Sequence, residues 1–176
     1  MKLSLPIFRQ NSQYTELRGD DLRSGGEYRF ILEDDISIPI SSLKKESLLG
    51  VTISLRDAYR TEWAQVKGGR LTIRKGYAWN GASPKKWILG RWWGTPDFKA
   101  TRLATLVHDV CFQFLRVSDF PLTILECNQL FYDIMKTKNF KLANIYFGAV
   151  EDFGERFAGK YPRKGEHSLI IEEGGE

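Results

Sequence analysis

The residues with the clearest chemical potential are the adjacent pair His108-Asp109. Neighbours on a helix diverge by about 100°, so this pair cannot act as a base and its own orienter. The two side chains must serve two different neighbours. An imidazole held on a helix can work as a general base if a polar group fixes its second nitrogen. Asn128 is the natural partner. It stands in an apolar helical stripe, about 40° from Ile124, where a buried amide needs a hydrogen-bond partner. Two readings are open here: a catalytic base with its orienter, or a hydrogen bond that only pins two helices. Asp109 is likewise either a ligand or a solvated carboxylate near Arg102 or Arg116.

A second constellation is Trp79-Asn80-Gly81-Ala82-Ser83-Pro84. A glycine flanked by Asn and Ser lets backbone carbonyls converge, and a hard cation such as calcium takes carbonyl and carboxylate oxygens. If this loop lies over the His-Asp helix, Asn80, Gly81 and Asp109 could form a weak calcium site. An ordinary turn is the competing reading.

The third constellation is basic and aromatic. Lys85, Lys86, Trp87, Arg91, Trp92 and Trp93 suit contact with an anionic surface, either lipid or single-stranded nucleic acid. A solvated loop whose tryptophans dock on the core is the alternative. From Arg60 to Arg102 there are ten Lys or Arg and two acids, a local charge of +8 against +4 for the whole chain.

The elements that must position these groups read as β first and α second. Tyr28 to Ile40, Gly50 to Leu55, Trp63 to Val66 and Leu71 to Arg74 are strand candidates, the last two flanking a Lys-Gly-Gly turn. Three helices follow. The first, about Asp97 to Arg116, carries Leu103, Val107, Val110 and Phe114 in one sector, with an apolar arc over about half the circumference. The second has Ser118 or Asp119 as N-cap, Pro121 in its first turn and a stripe of Ile124, Cys127, Phe131, Ile134 and Met135. The third starts near Leu142 and carries Leu142, Ile145, Tyr146, Ala149, Phe153 and Phe157 as its apolar residues. Between the halves, Gly76 to Asp97 is a long loop holding four of the five tryptophans.

The expected fold is therefore α+β, with N-terminal antiparallel hairpins followed by a three-helix antiparallel bundle. Residues 1–158 form one domain (β-rich to 80, loop 76–97, helices 97–158). Residues 159–176 are a C-terminal tail, in which Leu169 to Ile171 could add a short strand. At 176 residues, 42% hydrophobic and 27% charged, the chain fits a globular domain. Two histidines exclude a His-rich metal site, and two cysteines exclude a disulfide scaffold. No run approaches the roughly 18 apolar residues of a membrane span, and the N-terminus lacks a secretory apolar core. The expected location is the cytoplasm, or a virion, with Cys111 and Cys127 as thiols.

Taken together, Gly76-Tyr77-Ala78-Trp79-Asn80-Gly81-Ala82-Ser83-Pro84, then His108-Asp109-Val110-Cys111-Phe112, then Asn128-Gln129-Leu130-Phe131, resembles the DUF1353 family of phages and prophages. The run from Tyr146 to Gly154 also fits, so the resemblance covers about residues 71–154. The same skeleton is similar to phospholipase A2, with its glycine-rich calcium loop and His-Asp helix. That similarity implies that His108 activates water, that Asp109 with carbonyls near Asn80 and Gly81 holds calcium, and that position 128 orients His108. Two departures stand out: Asn80 replaces an Asp or a flexible Gly, and Asn128 replaces an Asp that would stabilise imidazolium. An Asp-to-Asn change in such a role costs about four orders of magnitude, so the resemblance implies an impaired enzyme. Three functions follow as expectations: a phage-type, calcium-assisted ester hydrolase; a non-catalytic virion or host-interaction protein with other virion proteins as partners; or a lipid- or nucleic-acid-binding module using residues 85–93.

Overall fold

A computed structural model of the protein describes residues 14–16, 30–40, 43, 48–57, 59–82, 85–88, 91–94, 98–115, 117, 120–157 and 168–173. Among these, the architecture is α+β, with antiparallel sheets followed by three helices.

The local signals explain the larger sheet. β5 (Glu62–Lys67) and β6 (Arg70–Ile73) are joined by Gly68 and Gly69, both at positive φ (55° and 68°), the conformation a two-residue hairpin requires. β4 (Val51–Arg56) pairs with β5, and β3 (Ile36–Pro39) pairs with β6. The fifth strand is C-terminal: β10 (Ser168–Glu173) pairs along the whole of β4, giving the order β10-β4-β5-β6-β3. The expected tail therefore holds a six-residue strand, longer than the three residues anticipated, because it finds an open edge on β4. Alternation sends Ile53, Leu55, Ala64, Val66, Leu71, Ile73, Ile36 and Ile38 into the core.

The expected continuous strand from Tyr28 to Ile40 is two strands in two sheets. β2 (Phe30–Leu32) joins β1 (Tyr14–Glu16) and β7 (Ala78–Trp79) in a small sheet of order β1-β2-β7. The polar Glu33-Asp34-Asp35 segment separates β2 from β3. Asp35 fixes that corner by accepting the Lys75 N–H and a bond from Arg74, which also donates to Glu62.

The helices follow a 3-10 turn at Lys99–Thr101. α1 (Arg102–Phe114) buries Ala104, Thr105, Leu106, Val107, Val110, Cys111, Phe112 and Phe114, as expected of a central helix packed on more than one side. Thr105 is buried as well, its hydroxyl satisfied by donating back to the Arg102 carbonyl. α2 (Ile124–Thr137) starts at Thr123, whose hydroxyl accepts the Glu126 N–H while the Glu126 carboxylate accepts the Thr123 N–H. This reciprocal capping box displaces the expected start, and Pro121 lies ahead of the helix rather than in its first turn. Ser118 and Asp119 fall outside the described residues. α3 (Ala143–Phe157) buries Ala143, Tyr146 and Val150, but leaves Leu142 and Ile145 exposed against expectation.

Candidate functional site

His108 and Asn128 meet across the α1–α2 interface. Nε2 of His108 is 3.0 Å from Oδ1 of Asn128. With the amide oxygen facing the ring, the Nε2–H donates and Nδ1 keeps its lone pair. Asn128 is buried, and this bond answers the need its place in an apolar stripe creates. Two aromatic rings frame the imidazole. Phe112 stacks on it at 3.9 Å between centroids, and Phe131 lies tilted at 5.1 Å. Sequence reasoning singles out neither as a site residue, although the spacings point to both: Phe112 is four residues after His108, and Phe131 three after Asn128.

His108 itself is half-buried. Burial pushes its pKa down from 6.5 to about 4, and the hydrogen bond to Asn128 works weakly in the other direction. The ring is therefore neutral at physiological pH, with one nitrogen fixed as donor and the other available as acceptor.

Asp109, one residue on, serves a different neighbour. It lies about 20° around the helix from Arg102 and about 40° from Gln113. Both of those residues reach the small sheet. The Arg102 guanidinium carbon sits 5.1 Å from the Phe30 ring centre, and the Tyr77 hydroxyl donates to Gln113 Oε1 at 2.7 Å. Asp109, half-buried between them, thus belongs to the α1 face turned toward β2 and β7. The same packing partly buries Arg102, which lowers its pKa.

The Trp79 loop leaves from that sheet. Trp79 is buried with its ring 5.2 Å from Phe30. Asn80 is exposed, Gly81 is buried at φ 78°, and Ala82 is buried; Ser83 and Pro84 lie outside the described residues. Glycine is needed at 81 because a side chain would be strained at that φ. The loop thus begins on the side of α1 that carries Asp109, whereas His108 turns to α2. Among the described residues, no three His, Cys, Asp or Glu side chains cluster as a metal site. A cation held here would rest on one carboxylate and backbone carbonyls.

The basic-aromatic stretch is not a loop throughout. β8 (Lys85–Ile88) and β9 (Arg91–Gly94) form a separate hairpin, with Trp87 opposite Trp92 and Lys86 opposite Trp93.

Cys111 and Cys127 are buried free thiols. No helix among the described residues is long and apolar enough to cross a membrane. Compared with protein-family models, curated proteins and solved structures, the chain matches none.

Proposed function

We propose that the protein is a hydrolase in which His108 is the general base and Asn128 its orienter, acting on an ester, in a phage-type setting. The observation that supports this most is the His108–Asn128 bond, which dedicates Nε2–H to the protein and leaves Nδ1 to accept a proton. Water attacking an ester carbonyl would lose its proton to Nδ1. That proton would then pass to the departing alkoxide, leaving acid, alcohol and neutral imidazole. The flanking Phe112 and Phe131 rings hold the imidazole plane. Asp109 and the carbonyls at Asn80 and Gly81 are the groups that would hold calcium, but they belong to the α1 side facing the small sheet, whereas His108 turns to α2. The proton transfer is therefore assigned to His108 alone, and a cation would assist only an ester that reaches both sides. The low basicity of His108 argues for a slow enzyme, since a general base works best when its pKa lies near the working pH.

A second reading has its own observation. The close stacking of Phe112 on the imidazole and the burial of Asn128 also suit a hydrogen bond that only locks α1 to α2 in a non-catalytic virion or host-interaction protein. One experiment separates the two. Hydrolysis of a soluble chromogenic ester and of phospholipid is measured with and without calcium, beside His108→Ala and His108→Gln. The hydrolase reading requires turnover that both substitutions abolish. Turnover that survives them, or none in the wild type, leaves the helix lock.

A further inference from the structure

The α2–α3 corner combines exposed apolar side chains with a cluster of lysines. Leu142 and Ile145, 39% and 65% exposed, stand three residues apart and so adjoin on one face. Phe98, 40% exposed, packs its ring against Phe140 at 5.4 Å and Tyr146 at 6.5 Å, which joins the segment before α1 to this corner. The turn itself is fixed. Asn139 takes a left-handed conformation (φ 53°), and the Phe140 N–H donates to the Met135 carbonyl at 3.1 Å. Lys99 adjoins Phe98 in the chain, Lys138 and Lys141 flank Asn139 and Phe140, and Lys136 closes α2 with its Nζ 5.9 Å from the Tyr132 ring centre. All four are exposed, and no Asp or Glu occurs between Asp133 and Glu151.

Each feature narrows the occupant. A second copy would bring like charges face to face, which opposes self-association. Single-stranded nucleic acid takes much of its affinity from aromatic stacking, whereas the most exposed apolar group here is the aliphatic Ile145, and the Phe98 ring packs against Phe140 and Tyr146. Aliphatic side chains among lysines match an anionic bilayer, where alkyl groups enter the headgroup boundary and ammonium groups meet phosphate. We infer that the Phe98–Leu142–Ile145 corner, with Lys99, Lys136, Lys138 and Lys141, is a docking surface for anionic lipid membranes. This does not rest on hydrolysis by His108, and it uses a different surface from the β8–β9 hairpin.

The test is co-sedimentation of the full chain with phosphatidylserine–phosphatidylcholine vesicles, beside pure phosphatidylcholine vesicles. Binding is expected only to the anionic vesicles and falls as salt rises. Lys141→Gln, Lys136→Gln and Lys99→Gln should each weaken it by about fivefold. Leu142→Gln combined with Ile145→Gln should weaken it by about tenfold or more. All these positions are exposed, so unchanged melting curves establish that the variants fold, and Lys75→Gln, in the turn after β6, should bind as the wild type does. Three results would overturn the inference: equal binding to neutral vesicles, no binding at all, or binding lost through substitutions at Lys85 to Trp93 but not at the corner. Corner substitutions that dissolve a dimer or release single-stranded DNA, without affecting vesicles, would overturn it too.

Discussion

His108 and Asn128 are joined by a 3.0 Å hydrogen bond between two successive helices, and an uncharged amide stands where a carboxylate would give a strong base. The pair is neutral on both sides. That neutrality sets how it responds to pH, to substitution and to a reacting water.

The first consequence is acid sensitivity with a definite window. In the unfolded chain His108 takes up a proton near its ordinary value of 6.5, but in the fold only near 4. As pH falls through that interval the unfolded state binds more protons, so stability declines, and the loss is complete below the folded value. Between about pH 7 and about pH 5 the loss should approach about 2 kcal/mol, reduced by solvent reaching the half-buried ring. Asp35 and Glu62 act in a lower range. The Lys75 N–H and Arg74 hold Asp35 below its usual value; burial pushes Glu62 up, but bonds from Ser54 and Arg74 more than offset this. Their contribution is present at pH 5 and fades only in stronger acid. Urea midpoints measured at the two pH values should converge in His108→Gln and separate in the wild type. An unchanged slope in the variant would assign the acid sensitivity elsewhere.

Introducing a carboxylate tests the same pair from the other side. Asn128→Asp places a negative charge against Nε2–H, which should raise the His108 pKa by about one to three units. The ring proton signals in an NMR titration report this directly. If His108 is the base, ester turnover should rise by about tenfold or more, because both basicity and imidazolium stabilisation improve. A titration that stays near 4 would show that the introduced carboxylate is not in contact with the ring.

Capping provides a third measurement. Thr123 accepts the Glu126 N–H, and Glu126 returns the bond. Thr123→Ala should therefore cost about 1 kcal/mol in chemical denaturation. It should also loosen the helix that carries Asn128, visible as faster amide exchange in the first turn of α2. A change of only a few tenths would mean that packing alone sets the start of the helix.

Much of this arrangement is legible in the residues, and the exceptions share a cause. The Lys-Gly-Gly hairpin and the wide apolar arc of α1 depend on neighbours a few positions apart, so local pattern finds them. Asn128 as the partner of His108 is also legible, because an amide in an apolar stripe needs a bond and only an adjacent helix can supply it. What local pattern cannot decide is pairing at a distance. Residues 28–40 read as one strand because each half is β-forming; only the separate partners, Trp79 for Phe30 and Ile73 for Ile36, divide them between sheets. Trp87 and Trp92 conceal a hairpin because large apolar and basic residues mix without strict alternation. Ile145 fits a helical stripe by spacing, but its side chain stays exposed on α3. The Thr-x-x-Glu cap is present in the sequence but stands behind Ser118, Asp119 and Pro121, which offer an earlier start.

The C-terminal strand supplies the last prediction, and its detail lies in the register. Leu169 is paired with Leu55 and Ile171 with Ile53, both partners buried at 3% exposure or less, while Ile170 is paired with Ser54. The register therefore sets positions 169 and 171 opposite apolar partners and position 170 opposite a polar one that is itself 5% exposed. Deleting residues 168–176 should leave β4 as an unpaired edge and cost about 2–4 kcal/mol. It should also promote association that grows with protein concentration, as open edges do. Point substitutions separate register from simple loss of chain. Leu169→Asp and Ile171→Asp, opposite apolar partners, should each lower the urea midpoint nearly as far as the deletion, and Ile170→Asp, opposite the polar Ser54, should lower it less. If Ile170→Asp proves the damaging change, the strand is shifted by one residue; if all three are neutral, β10 does not belong to the sheet in solution.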